Sequence, residues 1–408
     1  MKLTVLALNA ALSIVVVSAA QAEENDWRLG WDATLYGYAN WLGANSDSVL
    51  NPNNQIARLS SRSEIVEARV NLKAENDTLR FTGRAIARAF QTHSDFSTEQ
   101  ETEGYFSQWQ ARLRLAEAWS ASAGRDVLNW GPAQFRSPSS PYYFDNGRSD
   151  PMRELIGMDS AKLSWTPNMQ SSAMLVYVDG PGRGGLAPDR WREVWRDSWL
   201  VKFDQRGDGW SASLLAAKAP DLPTFWGGYG QWMLSDAWLI YGEFGSYALN
   251  NVLQLPSNGR QLFSVQKTSS RELTTLLGSS YTFENGQSLA FEYLHNGHGF
   301  TGSEEDAYFQ RALVMPGMAL GLRPQLLGRD YLHLVWQSNM MDERGFWRLM
   351  ATHSLTDGSN EFSGYGEWVL SNKVSAFALA AISPGNSRKE FSALIDYSVT
   401  LGLKIALP

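Results

Sequence analysis

Glu64-Ile65-Val66-Glu67-Ala68-Arg69-Val70-Asn71-Leu72-Lys73-Ala74-Glu75, then Asn76-Asp77, then Leu79-Arg80-Phe81-Thr82-Gly83-Arg84-Ala85, is the stretch that decides the fold. Val66, Ala68, Val70, Leu72 and Ala74 take alternate positions, and Glu67, Arg69, Asn71, Lys73 and Glu75 lie between them. Successive side chains of an extended strand point to opposite faces, so one face is apolar and the other charged. The next run repeats the pattern, with Leu79, Phe81, Ala85 and Ala87 against Arg80, Thr82, Arg84 and Arg88. Segment 391–407 is the cleanest: Phe391, Ala393, Ile395, Tyr397, Val399 and Leu401 oppose Ser392, Asp396, Ser398, Thr400 and Lys404. Runs of about ten to fourteen residues at period two are the size of a tilted strand that crosses a bilayer.

Composition agrees with this reading. The chain has 17 Trp, 15 Tyr and 18 Phe among 408 residues, yet its mean hydropathy is -0.29. Alternating strands combine these properties, because every second residue meets lipid and its neighbour meets water. Trp and Tyr favour the headgroup level, where ring and polar tip are both satisfied. A large soluble β-sandwich or propeller shares the alternation but has no need of aromatics at strand ends.

The first 22 residues read as a Sec-type signal peptide. Lys2 gives the charged start, 3–17 the apolar run and Ala20-Gln21-Ala22 the small-x-small cleavage site. That run is too short to anchor the chain as a helix. Residues 23–408 are expected to form a single transmembrane antiparallel β-barrel domain. With no cysteine, disulfides, a zinc–thiolate cluster and a thiol nucleophile are excluded.

Short turns alternate with mostly long connections. Turns are expected at 75–77, 122–124, 166–168, 206–208, 234–236, 284–286, 342–345 and 371–372, where Asn, Asp and Gly tolerate positive φ. Longer loops are expected at 43–62, 92–106, 131–157, 181–195, 250–270 and 299–327. Eight hairpins, with one strand before (27–41) and one after (391–407), give about eighteen strands, within a range of roughly 16–20. The turns should be periplasmic and the loops extracellular.

With these features the chain resembles the Gram-negative porin-like outer-membrane barrels over nearly all of its mature length. The resemblance implies an outer-membrane channel for passive diffusion of small polar or anionic solutes. It implies outer-membrane lipid, lipopolysaccharide and the barrel-assembly machinery as partners, and leaves oligomeric state open. The chain departs from the family in ending Ala406-Leu407-Pro408, without the terminal aromatic residue. A fainter resemblance, to capsule-assembly barrels, rests on Trp130-Gly131-Pro132 after 124–129. It implies the alternative that the barrel binds, assembles or exports surface polysaccharide. The plainer reading makes Trp130 a girdle residue and Gly131-Pro132 a strand end.

Charge placement is the main functional signal. Arg69, Lys73, Arg80, Arg84, Arg88, Arg112 and Arg114 fall mainly on the polar face of three successive strands. Glu243, Glu292, Glu367 and Asp396 oppose apolar faces later in the chain. A basic wall facing carboxylates would set a transverse field across a pore; equally, the charges could only solvate a wide lumen. The connection 131–157 mixes Pro with Arg136, Tyr142, Tyr143, Asp145, Arg148, Asp150, Arg153 and Glu154. A loop so rich in aromatics is expected to fold inward as a constriction, the other course being the outer rim.

No catalytic pattern stands out. His295 and His298 have neither zincin nor standard zinc spacing. His353-Ser354 has nothing to activate it, and Gly-x-Ser-x-Gly is absent. The glycine-rich 179–185 follows a strand and precedes no helix, so it lacks the phosphate-binding terminus. The reading is therefore of a non-enzyme with no cofactor and no metal, and a net charge of -7 argues against nucleic acid.

Overall fold

The computed structural model describes residues 27–148, 150, 152–182, 190–256, 261–339, 341 and 344–407. The expected signal peptide, and part of the turn expected at 342–345, lie outside the described residues. The first half of the chain gives β1 (Arg28–Ala44), β2 (Arg62–Glu75), β3 (Leu79–His93), β4 (Thr98–Arg114), β5 (Trp119–Asp126), β6 (Met158–Trp165), β7 (Ser171–Pro181), β8 (Ser198–Gly207), β9 (Trp210–Lys218) and β10 (Phe225–Met233). The second half gives β11 (Trp238–Tyr247), β12 (Asn250–Gln254), β13 (Ser264–Thr268), β14 (Glu272–Thr282), β15 (Ser288–His295), β16 (Asp330–Gln337), β17 (Gly345–Ser354), β18 (Asn360–Ser371), β19 (Val374–Ile382) and β20 (Ile395–Leu407). β12 and β13 form a small hairpin of their own. The other eighteen pair antiparallel, each with the next, and β20 returns to β1. The result is a closed eighteen-stranded barrel. Closure leaves no strand edge, so the backbone is satisfied even where lipid offers no hydrogen bonds. Among the described residues no helix is long and apolar enough to cross a membrane.

Three of the tight turns share a mechanism. Asn76 Oδ1 accepts the N–H groups of Thr78 and Leu79. Asn168 does the same for Gln170 and Ser171, and Asn285 for Gln287. These side chains mimic a backbone turn, so Asn marks the hairpin ends.

Three boundaries differ from the sequence reading. Residues 122–124 lie inside β5, and the hairpin turns instead at 115–118, where Trp119 N–H bonds Ala116 O. Gly124 serves close approach rather than a turn: its φ is +148°, and a Cβ there would lie 2.1 Å from Trp109 O. The loop expected at 92–106 is mostly strand, since β3 runs to His93, β4 starts at Thr98, and Ser94 N–H bonds Ser97 O. Residues 391–394 precede β20. Phe391 turns inward against Tyr331, with ring centroids 6.2 Å apart, and Ala393 is fully buried, so neither faces lipid.

On β2 and along β20 itself the alternation holds. Val66 on β2 and Leu401 on β20 are exposed outward, whereas Glu67, one residue along, is 3% exposed. Outward aromatics gather near the two ends of the strands. Trp119, Trp165, Trp210, Trp232, Trp238 and Trp336 sit at the turn end, and Trp41, Trp199, Trp226 and Tyr397 at the loop end.

Inside, apolar clusters form where loops meet the inward faces of β7 to β17. One joins Tyr142 and Tyr143 to Val176, Leu200, Leu215 and Phe225. A second joins Phe135 and Phe144 to Tyr241, Leu276, Leu294 and Tyr331. A third lies among the loop-end connections, with Leu50, Leu253, Phe263, Tyr308, Phe309 and Ala393.

Candidate functional site

The site is the lumen and the connection 127–157 that folds into it. Its chemistry begins with two inward carboxylates, Glu243 on β11 and Glu292 on β15. Both are nearly sealed from solvent, at 3% and 1% exposure. Glu243 accepts from Ala133 N–H at 2.7 Å, Ser137 Oγ at 2.7 Å, Ser139 Oγ at 2.7 Å and Ser139 N–H at 3.3 Å. Glu292 accepts from the N–H groups of Gln134 and Phe135, at 2.6 and 2.8 Å, and from Tyr241 Oη at 2.7 Å. A carboxylate on backbone N–H groups makes stronger bonds than a neutral acceptor. The two glutamates thus seat the loop against the wall, and neither borders open lumen. Gly131 is needed here, because a Cβ would collide with the Glu243 carboxylate. Trp130 is not a girdle residue. It packs inside, with Lys202 Nζ 5.3 Å from its ring centroid.

The loop also binds itself. Arg148 donates to the carbonyls of Gly131, Pro132 and Ala133. Asp145 lies between Arg136 and Arg153. Burial raises its carboxyl, but these two cations and the Gly147 N–H outweigh burial, and the net direction is down. Asp150 moves the other way, raised by burial against weaker hydrogen bonds. Tyr142 and Tyr143 are buried in the apolar cluster, and Tyr143 Oη donates to Ile156 O.

The loop reaches the opposite wall through Glu154, whose side chain is 10% exposed. Glu154 meets Arg69 and Arg84, at 3.4 and 3.2 Å. Ser107 Oγ and Gln108 Nε2 donate to it as well. Two consecutive residues of β4 face inward because the strand bulges there: opposite Arg84 and Ala85 the register jumps from Gln108 to Phe106. Arg69 also donates to Met152 O and pairs with Glu67.

The other expected wall residues are mostly paired. Arg88 meets Glu103, and Arg28, Lys73 and Arg80 surround Glu75. Arg112, opposite Arg80 in register, donates to Ser120 Oγ, and Arg114 is exposed at the turn end. Glu367 accepts from Lys404 and Tyr365, and Asp396 is exposed at the loop end.

Two cavities are set in the barrel wall, the second of them beside the loop. One, of about 520 Å³, is bordered by Asp32, Asn71, Arg84, Gln108, Gln110 and Asp126. The other, of about 360 Å³, is bordered by Gln134, Arg148, Gln231, Tyr241 and Gln337. Among the described residues no cluster of His, Asp and Glu could hold a metal ion. Sequence reading does not single out Ser107, Gln108, the partners of Glu154 or the Asn71–Asp32 bond. Their roles depend on contacts up to 85 positions apart.

A closed eighteen-stranded sheet with a loop folded into its lumen defines the porin-type barrel class. OccK11 (OpdR) of Pseudomonas aeruginosa matches with a TM-score of 0.55 at 12% identity, over 93% of this chain and 96% of that chain. OprD of the same organism matches with a TM-score of 0.54 at 10% identity, over 95% and 97%. At such identities the likeness is one of fold. No family model matches the chain, and no curated protein matches its sequence.

Proposed function

We propose that the chain is a bacterial outer-membrane channel for passive diffusion of small polar solutes, and that its arginine wall favours the anionic part of a solute. The observation that carries this reading is the inward loop, seated by Glu243 and Glu292 and tied across the lumen through Glu154. A loop so fixed narrows the lumen and leaves a cavity beside it bordered by Gln134, Arg148, Gln231 and Gln337. Arg69, Arg84 and Arg88 each face a carboxylate, so the wall is a ladder of ion pairs. A solute anion must compete with these carboxylates. That keeps each hold weak, as conduction requires. The turn-end mouth is more basic, with Arg28, Lys73 and Arg80 around Glu75. Fixed positive charge there raises local anion concentration. The aromatic belts would meet outer-membrane lipid and lipopolysaccharide.

The test is single-channel recording of the purified protein in a planar bilayer. A steady, weakly anion-selective pore at neutral pH is the expected result. A barrel that passes no ions but retains surface polysaccharide would reject the channel reading in favour of polymer handling.

A further inference from the structure

A buried carboxylate at the loop end meets no hydrogen-bond donor among the described residues. Glu305 lies in the helix Gly302–Ala312, which starts with a Thr301–Glu304 capping box. It is 2% exposed, and both of its carboxylate oxygens are unpartnered. The carboxylates facing it come from other loops, Asp357 from 355–359 and Glu390 from 383–394. Both of those are supplied with donors. Asp357 accepts from Ser359 N–H and Oγ and from Glu390 N–H. Glu390 accepts from Leu327 N–H, Gly328 N–H and Tyr331 Oη. The nearby cations are turned to carbonyls: Lys389 donates to Asp357 O, and Arg323 to Glu390 O. Tyr308, on the same helix, donates to Ala319 O.

An ionised carboxylate without a donor in an apolar site is strongly disfavoured. Carrying a proton removes the cost, because the acid can donate to the acceptor it faces. We infer that Glu305 and Asp357 share a proton that latches the loop-end cap, so that acid closes the cap and neutral or alkaline medium loosens it.

The latch lies where the cap is assembled. The helix carrying Glu305 contributes Tyr308, Phe309 and Ala312 to the cluster with Leu50, Leu253, Phe263 and Ala393. Arg311 ties the same helix to the carbonyls of Pro256 and Leu262. Asn45 and Ser48 bind the first loop to Ser392 O and Ala393 O. Tyr331, held by Glu390, packs against Phe135 of the inward loop at 5.9 Å. Movement at the latch therefore bears on the constriction.

The sign follows from linkage. Burial first, then the charges of Asp357 and Glu390, push the Glu305 carboxyl up to about 9 from an ordinary 4.5, with Lys389 opposing. Burial raises Glu390 too. Asp357 is lowered on balance, its donors outweighing burial. A detached Glu305 loses its proton above 4.5, whereas a latched one keeps it to about 9. The latch is therefore strongest below 4.5, and its closed-to-open ratio falls roughly tenfold per pH unit up to about 9.

The chain has no cysteine, so two can be placed for spin labels, at the exposed Gln310 and Pro384. Distances between them are measured by pulsed electron paramagnetic resonance on the full barrel in lipid nanodiscs, from pH 5 to pH 9. One short distance is expected at pH 5, with a longer population growing roughly tenfold per unit. In Glu305→Gln the amide donates at every pH, and the short distance should persist. Asp357→Asn offers Glu305 a donor, and the pH response should shrink. It serves as the second test should the first variant fail to fold. A pH-invariant wild type overturns the latch, as does an unchanged response in both variants. Calcium alone restoring the short distance at pH 8 also overturns it, by making a divalent cation the occupant.

Discussion

The wall from β1 to β4 and the wall from β7 to β16 belong to one sheet but meet different interiors. β1 to β4 are 14 to 17 residues long, and their inward positions include Asp32, Arg69, Asn71, Arg84 and Arg88, linked by ion pairs and by hydrogen bonds of the Asn71 amide. β7 to β11 are 9 to 11 residues long. Inward there are Val176, Leu200 and Leu215, each at most 4% exposed, although their neighbours Leu175, Val201 and Leu214 are 40 to 61% exposed on the outside. Much of the second wall is apolar on both faces, because the loop 127–157 and its neighbours fill the lumen against it. The barrel is thus half core and half water-facing surface. A loop seated on one wall by apolar burial and buried carboxylates can shape a polar path along the other.

The largest test of that division is to remove the seat. Glu243→Ala with Glu292→Ala strands the N–H groups of Ala133, Gln134, Phe135 and Ser139, at a cost of about 1–3 kcal/mol for each buried donor left unsatisfied. Conductance should rise severalfold and grow noisy in single-channel records. Native current from the double variant would mean that apolar burial alone holds the loop.

On the polar wall, Arg80→Gln, Arg84→Gln and Arg88→Gln together delete three charges and take one cation each from Glu75, Glu154 and Glu103. Reversal potential across a salt gradient should move clearly toward cation preference. An unmoved potential would place these arginines outside the conducting path.

Glu154→Gln probes the contact between the halves and removes a single charge. Arg69 and Arg84 are left for passing anions, so anion preference should increase by less than the triple variant lowers it, with a small rise in conductance. A shift toward cations in the same measurement would show that Glu154 does not compete with the solute.

The smallest effect concerns acid. The Asp145 carboxyl is held down on balance, so its contribution to loop order is present above the ordinary carboxylate range and is lost as pH falls through that range and below. Asp150 is raised and opposes this in part. Open-channel noise should therefore increase modestly below about pH 4. Asp145→Asn should show that noise already at pH 7, and a quiet variant at both values would remove Asp145 from the account.

The comparison also shows what could be read beforehand. β2, β3 and β20 announce themselves because one face meets lipid and the other water, and the strand count follows from turns marked by Asn, Asp and Gly. Leu115-Ala116-Glu117-Ala118 turns without any of these residues, so the sequence points instead to Gly124, a glycine needed for close approach. Met174-Leu175-Val176 and Leu276-Leu277 lose the alternation because lipid lies on one side and the filled lumen on the other. The aromatic, proline-rich character of 131–157 was visible. The service of Glu243 and Glu292 as its seats was not, since a lone inward carboxylate looks the same whether it meets water or a backbone N–H. Glu154 stood among the loop charges, but its partners Arg69 and Arg84 lie 85 and 70 positions away.

The seam between β1 and β20 has a consequence for assembly. Its register runs from Ala33↔Leu407 to Ala44↔Ile395, so partners are at least 351 positions apart (395 minus 44). Loop-closure entropy must be met in full before any of those bonds forms. The hairpins zip locally, while the β1 edge waits through the synthesis and arrival of every other strand. For that interval the nascent barrel carries an open, sticky border. Its rate-limiting event should be the meeting of the two chain ends.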